Sequence, residues 1–267
     1  MFLFLAFIIG LFFGSFLNVL ANRIPRGEKL TGRSHCEFCH KTLFWKDLVP
    51  VFSFVYLWGK CRYCHHPLSY QYLFVELVTG LLFVITYAYV ISGGIFNFQF
   101  LIFNEFLNLN SLIINLVYYL FMVSSLIVIF FADLKHGIIP DKIVIPAIVV
   151  SFAYLLIIHQ SSIINHLLSA LLSFGFFLII YILTKGRAMG FGDVKFAFFI
   201  GLFLGFPAVL FAFYIAFLTG GIVGIILILW KKKALKSAIP FGPFLVIGSV
   251  LGLFLQSVII HLISPLL

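Results

Sequence analysis

The chain has 267 residues, of which 63% are hydrophobic and only 9% charged, and its formal net charge is +9. Soluble domains carry about 25% charged residues, so this composition excludes a water-exposed surface of the size such a chain would need. The positive balance fits Lys and Arg gathered in loops on the cytoplasmic side of a membrane; no basic run interleaved with aromatics lies outside such loops, which sets nucleic acid aside as a partner.

Residues 1–21 form the first apolar run. Its positive residues follow it (Arg23, Arg26, Lys29, Arg33) rather than precede it. It therefore reads as a retained span with its N-terminus outside, not as a cleaved signal peptide. Further runs long enough to suggest membrane crossing lie near 71–91, 112–132, 143–158, 163–184, 194–205, 207–230 and 240–262. The fourth is short and the sixth shorter. Gly205 and Pro207 divide the sixth from the seventh, and Lys195 and Lys231 put both ends of that hairpin on one face. The predicted fold class is all-α: a polytopic bundle of about eight transmembrane helices in the lipid bilayer, with a small cytoplasmic insertion between the first two.

This topology places 22–70, 133–142, 185–193 and 231–239 in the cytoplasm. All 17 Lys and Arg fall in these segments or at Lys195 beside them, a complete positive-inside bias. The outer stretch 92–111 is apolar and aromatic-rich, carries Glu105, and is expected to lie along the membrane surface. The domain reading is a first span at 1–21, a cytoplasmic segment at 22–70, a second span with its outer loop at 71–111, and a membrane domain at 112–267.

All four cysteines lie in the cytoplasmic segment, as Cys36-Glu-Phe-Cys39 and Cys61-Arg-Tyr-Cys64. CEFCHKTL and CRYCHHPL share one frame, which predicts two facing knuckles. Two knuckles supply four thiolates to one tetrahedral ion, so Cys36, Cys39, Cys61 and Cys64 are the predicted ligands of a structural zinc. Disulfides fit poorly with a reducing cytoplasm. His40 and His65 are alternative ligands to a cysteine. C-x-x-C-H is also the haem attachment signature, which makes a membrane dihaem cytochrome the second reading. A transporter with intramembrane aspartates is the third.

Ionisable groups in spans are costly to insert and mark function. Asp133 ends the apolar run LIVIFFAD, and Asp193 stands in GFGDVK. Both fall at cytoplasmic span ends, so they can meet at one depth, share a proton and act as acid and base of an aspartic protease. Gly190 and Gly192 give the backbone freedom and close approach beside Asp193. Asp141 follows Pro140 and suits the start of a helix. Glu76 lies inside the second apolar run.

These residues, taken together, resemble the type IV prepilin peptidases, the bacterial members of the GxGD aspartyl protease group. The resemblance rests on GSFLNVLANRIPRGE (14–28), the cysteine region from Cys39 to Leu77 with Pro50, Ser53 and Gly59, ADLKHGIIPD and GFGDVK. It covers residues 10–200; the final spans agree in hydropathy only. It implies an enzyme of the bacterial inner membrane that removes the short basic leader of type IV prepilins, pseudopilins or competence pilins at the cytoplasmic face. N-methylation of the new terminus by S-adenosylmethionine then follows in many members. It further implies Asp133 and Asp193 as the catalytic pair, Asp141 and Lys195 as neighbours, 22–70 as part of a methyltransferase and 112–267 as the peptidase. Glu76 is the methyl-donor candidate, although Gln71 and Leu73 stand where the family often has Arg and Pro.

Overall fold

A computed structural model describes residues 1–92, 109–158, 160–187, 189–230, 239–256 and 258–259. The surface stretch expected at 92–111 falls mostly outside these residues, as do Glu105 and the last basic group, Lys231, Lys232, Lys233 and Lys236. The chain divides into two compact units, Met1–Val90 and Ile91–Leu267.

The first unit is a helical pair with an insertion. Helix α1 (Phe2–Arg23) stops just before Pro25, which has no backbone N–H to continue the helical ladder. Short helix α2 (Phe52–Tyr56) lies in the insertion, and α3 (Gln71–Ile91) follows. Ser69 caps the start of α3 by accepting the Gln71 backbone N–H at 3.2 Å. Gly10 and Gly14 let α1 meet α3 backbone to backbone. A Cβ on Gly10 would lie 2.7 Å from the Gly80 Cα, and one on Gly14 2.7 Å from the Glu76 Cα. Small residues four apart are a standard route to close helix association in lipid.

The second unit is a bundle of α4 (Leu109–His136), α5 (Asp141–Ile157), α6 (Ile163–Leu183), α7 (Phe191–Leu204), α8 (Ala208–Leu229) and α9 (Gly242–Phe254). Helix α7 is its axis and packs on α5, α6, α8 and α9. Its residues from Phe199 to Leu204 are all buried. Gly201 sits so close to α6 that a Cβ would meet the Ser169 carbonyl oxygen at 2.6 Å. Tyr118 of α4 stacks on Tyr154 of α5, ring centroids 3.6 Å apart.

Each of the eight expected apolar runs coincides with a helix of this fold, and no strand occurs among the described residues. Five helices (α1, α3, α4, α6 and α8) are long and apolar enough to cross a membrane. The chain is thus an integral membrane protein, but the count of eight crossings is not reached on length. At 14 residues α7 extends only about 21 Å, against roughly 30 Å of hydrocarbon. Enclosure of its C-terminal half by its neighbours makes that tolerable, because that end meets protein rather than lipid.

Candidate active site

In the second unit, Asp133 lies in the last turn of α4, which Gly137 closes. Gly137 has φ +64° and donates its N–H to the Asp133 carbonyl at 2.8 Å. The Asp133 side chain is buried, and its Oδ2 accepts the backbone N–H of Gly242, the first residue of α9, at 2.9 Å. No side chain fits at residue 242: a Cβ there would stand 2.6 Å from the same oxygen. Pro243 follows, a residue suited to the first turn of a helix because it lacks an N–H.

Asp193 is held in a parallel way. Gly190 caps α7 and Asp193 is the third helical residue. The Asp193 Oδ2 accepts the Gly190 N–H at 3.0 Å. The two buried carboxyl groups are within electrostatic reach of each other. Both also lie at helix N-termini, where backbone N–H groups point outward and favour anions. The Asp193 Oδ1 is buried with no hydrogen-bond partner among the described residues. A buried oxygen of this kind implies a further donor, such as water or a reacting group.

Neither glycine beside Asp193 has an unusual dihedral, and only Gly192 makes a close approach. Gly190 has ordinary extended backbone, φ −78° and ψ 158°. Gly192 is helical, and a Cβ there would press on Ile139 at 3.2 Å. Helix α7 accordingly starts at Phe191, three residues ahead of the expected run, because the Asp193 carboxylate supplies the cap. Asp141, the first residue of α5, pairs with Lys195 (Oδ1 to Nζ 2.5 Å) and is half exposed. The structure thus joins Asp133 to Gly242, Asp193 to Gly190, and Asp141 to Lys195. Gly242 escaped the sequence reading; its signal was Gly-Pro opening the last apolar run.

In the first unit the four cysteine Sγ atoms all lie within 4.8 Å of one another. The Cys36 and Cys64 sulfurs are 3.9 Å apart, close to the roughly 3.8 Å edge of a tetrahedron with about 2.3 Å zinc–sulfur bonds. The two knuckles repeat each other: His40 donates its N–H to the Cys36 carbonyl and His65 to that of Cys61, both at 3.0 Å. Both histidines have left-handed backbone, φ 54° and 56°, and lie outside the sulfur cluster. The Cys64 thiol is pushed up to about 11; the His66 backbone N–H favours thiolate, but desolvation and the sulfurs of Cys61, Cys39 and Cys36 outweigh it. A cation would relieve that crowding, so this donor set fits a metal ion. Asp47 braces the second knuckle, accepting from Arg62 Nε at 2.6 Å and from Tyr63 Oη at 3.3 Å.

Glu76 of α3 is buried, and its Oε2 accepts the Val51 N–H at 2.7 Å. Val51 has φ +61°, a costly conformation for a β-branched residue. Beside it, Gln71 Nε2 donates to the buried Asn18 Oδ1 at 3.1 Å.

The comparisons fall on both units. A Bacterial Peptidase A24 N-terminal domain matches residues 8–90, and the Type IV leader peptidase family matches residues 120–225. The prepilin leader peptidase/N-methyltransferase of Bacillus subtilis is 32% identical over 247 residues, which cover 92% of this chain and 91% of that protein. The protein of the same name from Legionella pneumophila is 28% identical, over 97% of this chain and 94% of its own. That from Vibrio cholerae is 27% identical, over 92% and 94%. No solved structure matches.

Proposed function

Since the chain belongs to the type IV prepilin leader peptidase family, we propose that it is an aspartic endopeptidase and N-methyltransferase whose peptidase chemistry is carried by Asp133 and Asp193. The substrates we infer are type IV prepilins, pseudopilins or competence pilins. Each presents a short basic leader ahead of a membrane helix. We place the enzyme in the bacterial cytoplasmic membrane, with its N-terminus outside and residues 22–70 in the cytoplasm. Nothing in the comparisons speaks for the dihaem reading.

The observation that carries the peptidase reading is the matched anchoring of two buried carboxyl groups. One oxygen of each is fixed by a backbone N–H, at 2.9 Å for Asp133 and 3.0 Å for Asp193. The other oxygens are left for water and substrate. One carboxylate takes a proton from the attacking water while its protonated partner donates to the scissile carbonyl oxygen. The tetrahedral adduct then collapses, and the leaving amine receives a proton. Gly242 brings the backbone close enough to hold Asp133, Gly190 supplies the N–H that holds Asp193, and Gly192 lets α7 approach Ile139; Asp141 and Lys195 brace α5 against α7.

We assign 112–267 to the peptidase and 22–70, with the helices flanking it, to the transferase. Zinc is the ion that four thiolates at this spacing suit, and its role here is structural. S-adenosylmethionine, when bound, supplies an electrophilic methyl group. Glu76 is the residue we infer to face the donor or the accepting amine, since its buried negative charge suits a cationic group. Incubating the reconstituted protein with a prepilin-like substrate, with and without S-adenosylmethionine, tests the reading by mass spectrometry. The expected result is loss of the leader in both cases and a methylated terminus only with the donor. Intact substrate from protein that keeps its metal would overturn it.

A further inference from the structure

The insertion of the first unit is built inside out. In α2, Phe52, Val55 and Tyr56 lie on one face at i, i+3 and i+4, and all three are exposed. Phe54 is instead turned inward, its ring against Gly59 and Tyr70. Phe52 and Tyr56 stack on each other, centroids 6.1 Å apart. Trp58, two residues on, is 88% exposed, and Trp45 is 71% exposed. A water-facing segment would turn such side chains inward. Cations stand in the same segment: Lys46 lies over the Trp45 ring at 5.6 Å, and Lys60, two residues after Trp58, is exposed.

The depth of this patch follows from the Glu76–Val51 bond. Helix α3 has 21 residues and extends about 31 Å, close to the roughly 30 Å of a bilayer core. Glu76 is its sixth residue and so lies about 8 Å in from its start. The Val51 amide is bonded to Glu76 at 2.7 Å, so α2 begins beside a membrane helix and below its end. At that level the surroundings are the outer acyl chains just beneath the headgroups. Aromatic rings sit there readily, and Lys and Arg can reach headgroup phosphates.

We propose that Phe52, Val55, Tyr56 and Trp58 form a membrane-interface anchor that rests on the lipid headgroup boundary, with Lys46 and Lys60 turned toward anionic headgroups. The anchor would hold the cysteine knuckles against the bilayer. It rests on the membrane reading alone and not on the chemistry of either site.

The test uses the full chain. The substitutions Trp45→Phe and Trp230→Phe leave Trp58 as the sole tryptophan of the three. The protein is reconstituted into phosphatidylcholine vesicles containing phosphatidylglycerol, with nitroxide lipids labelled near the glycerol level or at mid-chain. Trp58 fluorescence should be quenched roughly twofold more by the shallow label than by the deep one, and only weakly by iodide. Adding Phe52→Ser and Val55→Ser should raise iodide quenching while bound metal is retained, which shows that the knuckles still fold. Strong iodide quenching of the single-tryptophan protein without lipid quenching would overturn the proposal in favour of a water-facing patch. Shielding from both quenchers would overturn it in favour of a protein surface, a second copy or a substrate helix among them.

Discussion

The two units hold their reactive groups by opposite means. In Ile91–Leu267 the carboxyl groups stand on the ends of buried helices, and backbone N–H groups fix them. In Met1–Val90 the thiols stand on two short turns in a segment whose large aromatic side chains face outward. The first arrangement needs only helix packing. The second has little core of its own, and an ion held by the four thiols would supply much of what a core would. Buried carboxyl groups can be fixed by helix ends alone, whereas a segment with little core needs a clasp.

The largest effect should come from the carboxyl pair. Asn at Asp133 or Asp193 should lower leader cleavage by roughly 10⁴-fold, and the double variant should be little worse than either single one, because the two groups act as a unit. Metal content should be unchanged, which separates the units. Substantial turnover by either single variant, measured on one prepilin at matched expression, would break the pair.

Gly242→Ala comes next. The new methyl would stand 2.6 Å from the Asp133 Oδ2, so the carboxyl group or α9 must shift. A displacement of that order should cost roughly 10- to 100-fold in cleavage while the protein still inserts. A variant with full activity would show that the Gly242 N–H is dispensable and that α4 alone positions Asp133.

Cys61→Ser should sharpen the contrast from the other side. Metal analysis should show the ion lost and methylation failing, with cleavage within roughly threefold of the parent if the units act independently. The pH dependence of metal retention has a defined sign. With the Cys64 thiol pushed up to about 11, that thiol keeps its proton at neutral pH in the metal-free knuckles, and binding must expel it. Affinity should therefore weaken as pH falls below that value, and a chelator should strip the ion faster at pH 6 than at pH 8. Retention that is flat with pH would point to ligands other than thiols.

Much of this was legible in sequence. The apolar runs gave the helices, because lipid leaves few alternatives for a backbone that must satisfy its own hydrogen bonds. The repeated C-x-aromatic-C-H frame gave the knuckles, because like sequences make like turns. Other features depend on partners distant in the chain and carry no local pattern strong enough to read. Gly242 meets Asp133 across 109 residues. Glu76 props a strained Val51 that looks like any other valine in a loop. Gly10 and Gly14 show their purpose only against Gly80 and Glu76. The glycines beside Asp193 were legible as important, but they serve close approach to Ile139 and a capped helix start rather than left-handed backbone.

The smallest effect should come from the ion pair at the edge of the peptidase unit. Lys195 lies two residues beyond Asp193 and reaches Asp141 at the start of α5. The Asp141 side chain is about half exposed, so solvent screens the pair, and such pairs contribute only about 0–1 kcal/mol. What the pair adds is alignment. It ties α5 to the first turns of α7, on the same side where Ile139 packs on Gly192. Lys195→Met should then lower cleavage by less than about tenfold, Asp141→Asn by a similar amount, and the two together by no more than either alone, as expected for partners in one contact. That outcome would leave the reaction with two carboxyl groups. If Asp141→Asn instead abolished cleavage as fully as Asp133→Asn while Lys195→Met did not, Asp141 would belong with the reacting groups, and the contrast between a backbone-held pair and a metal-held clasp would need a third carboxyl group on its first side.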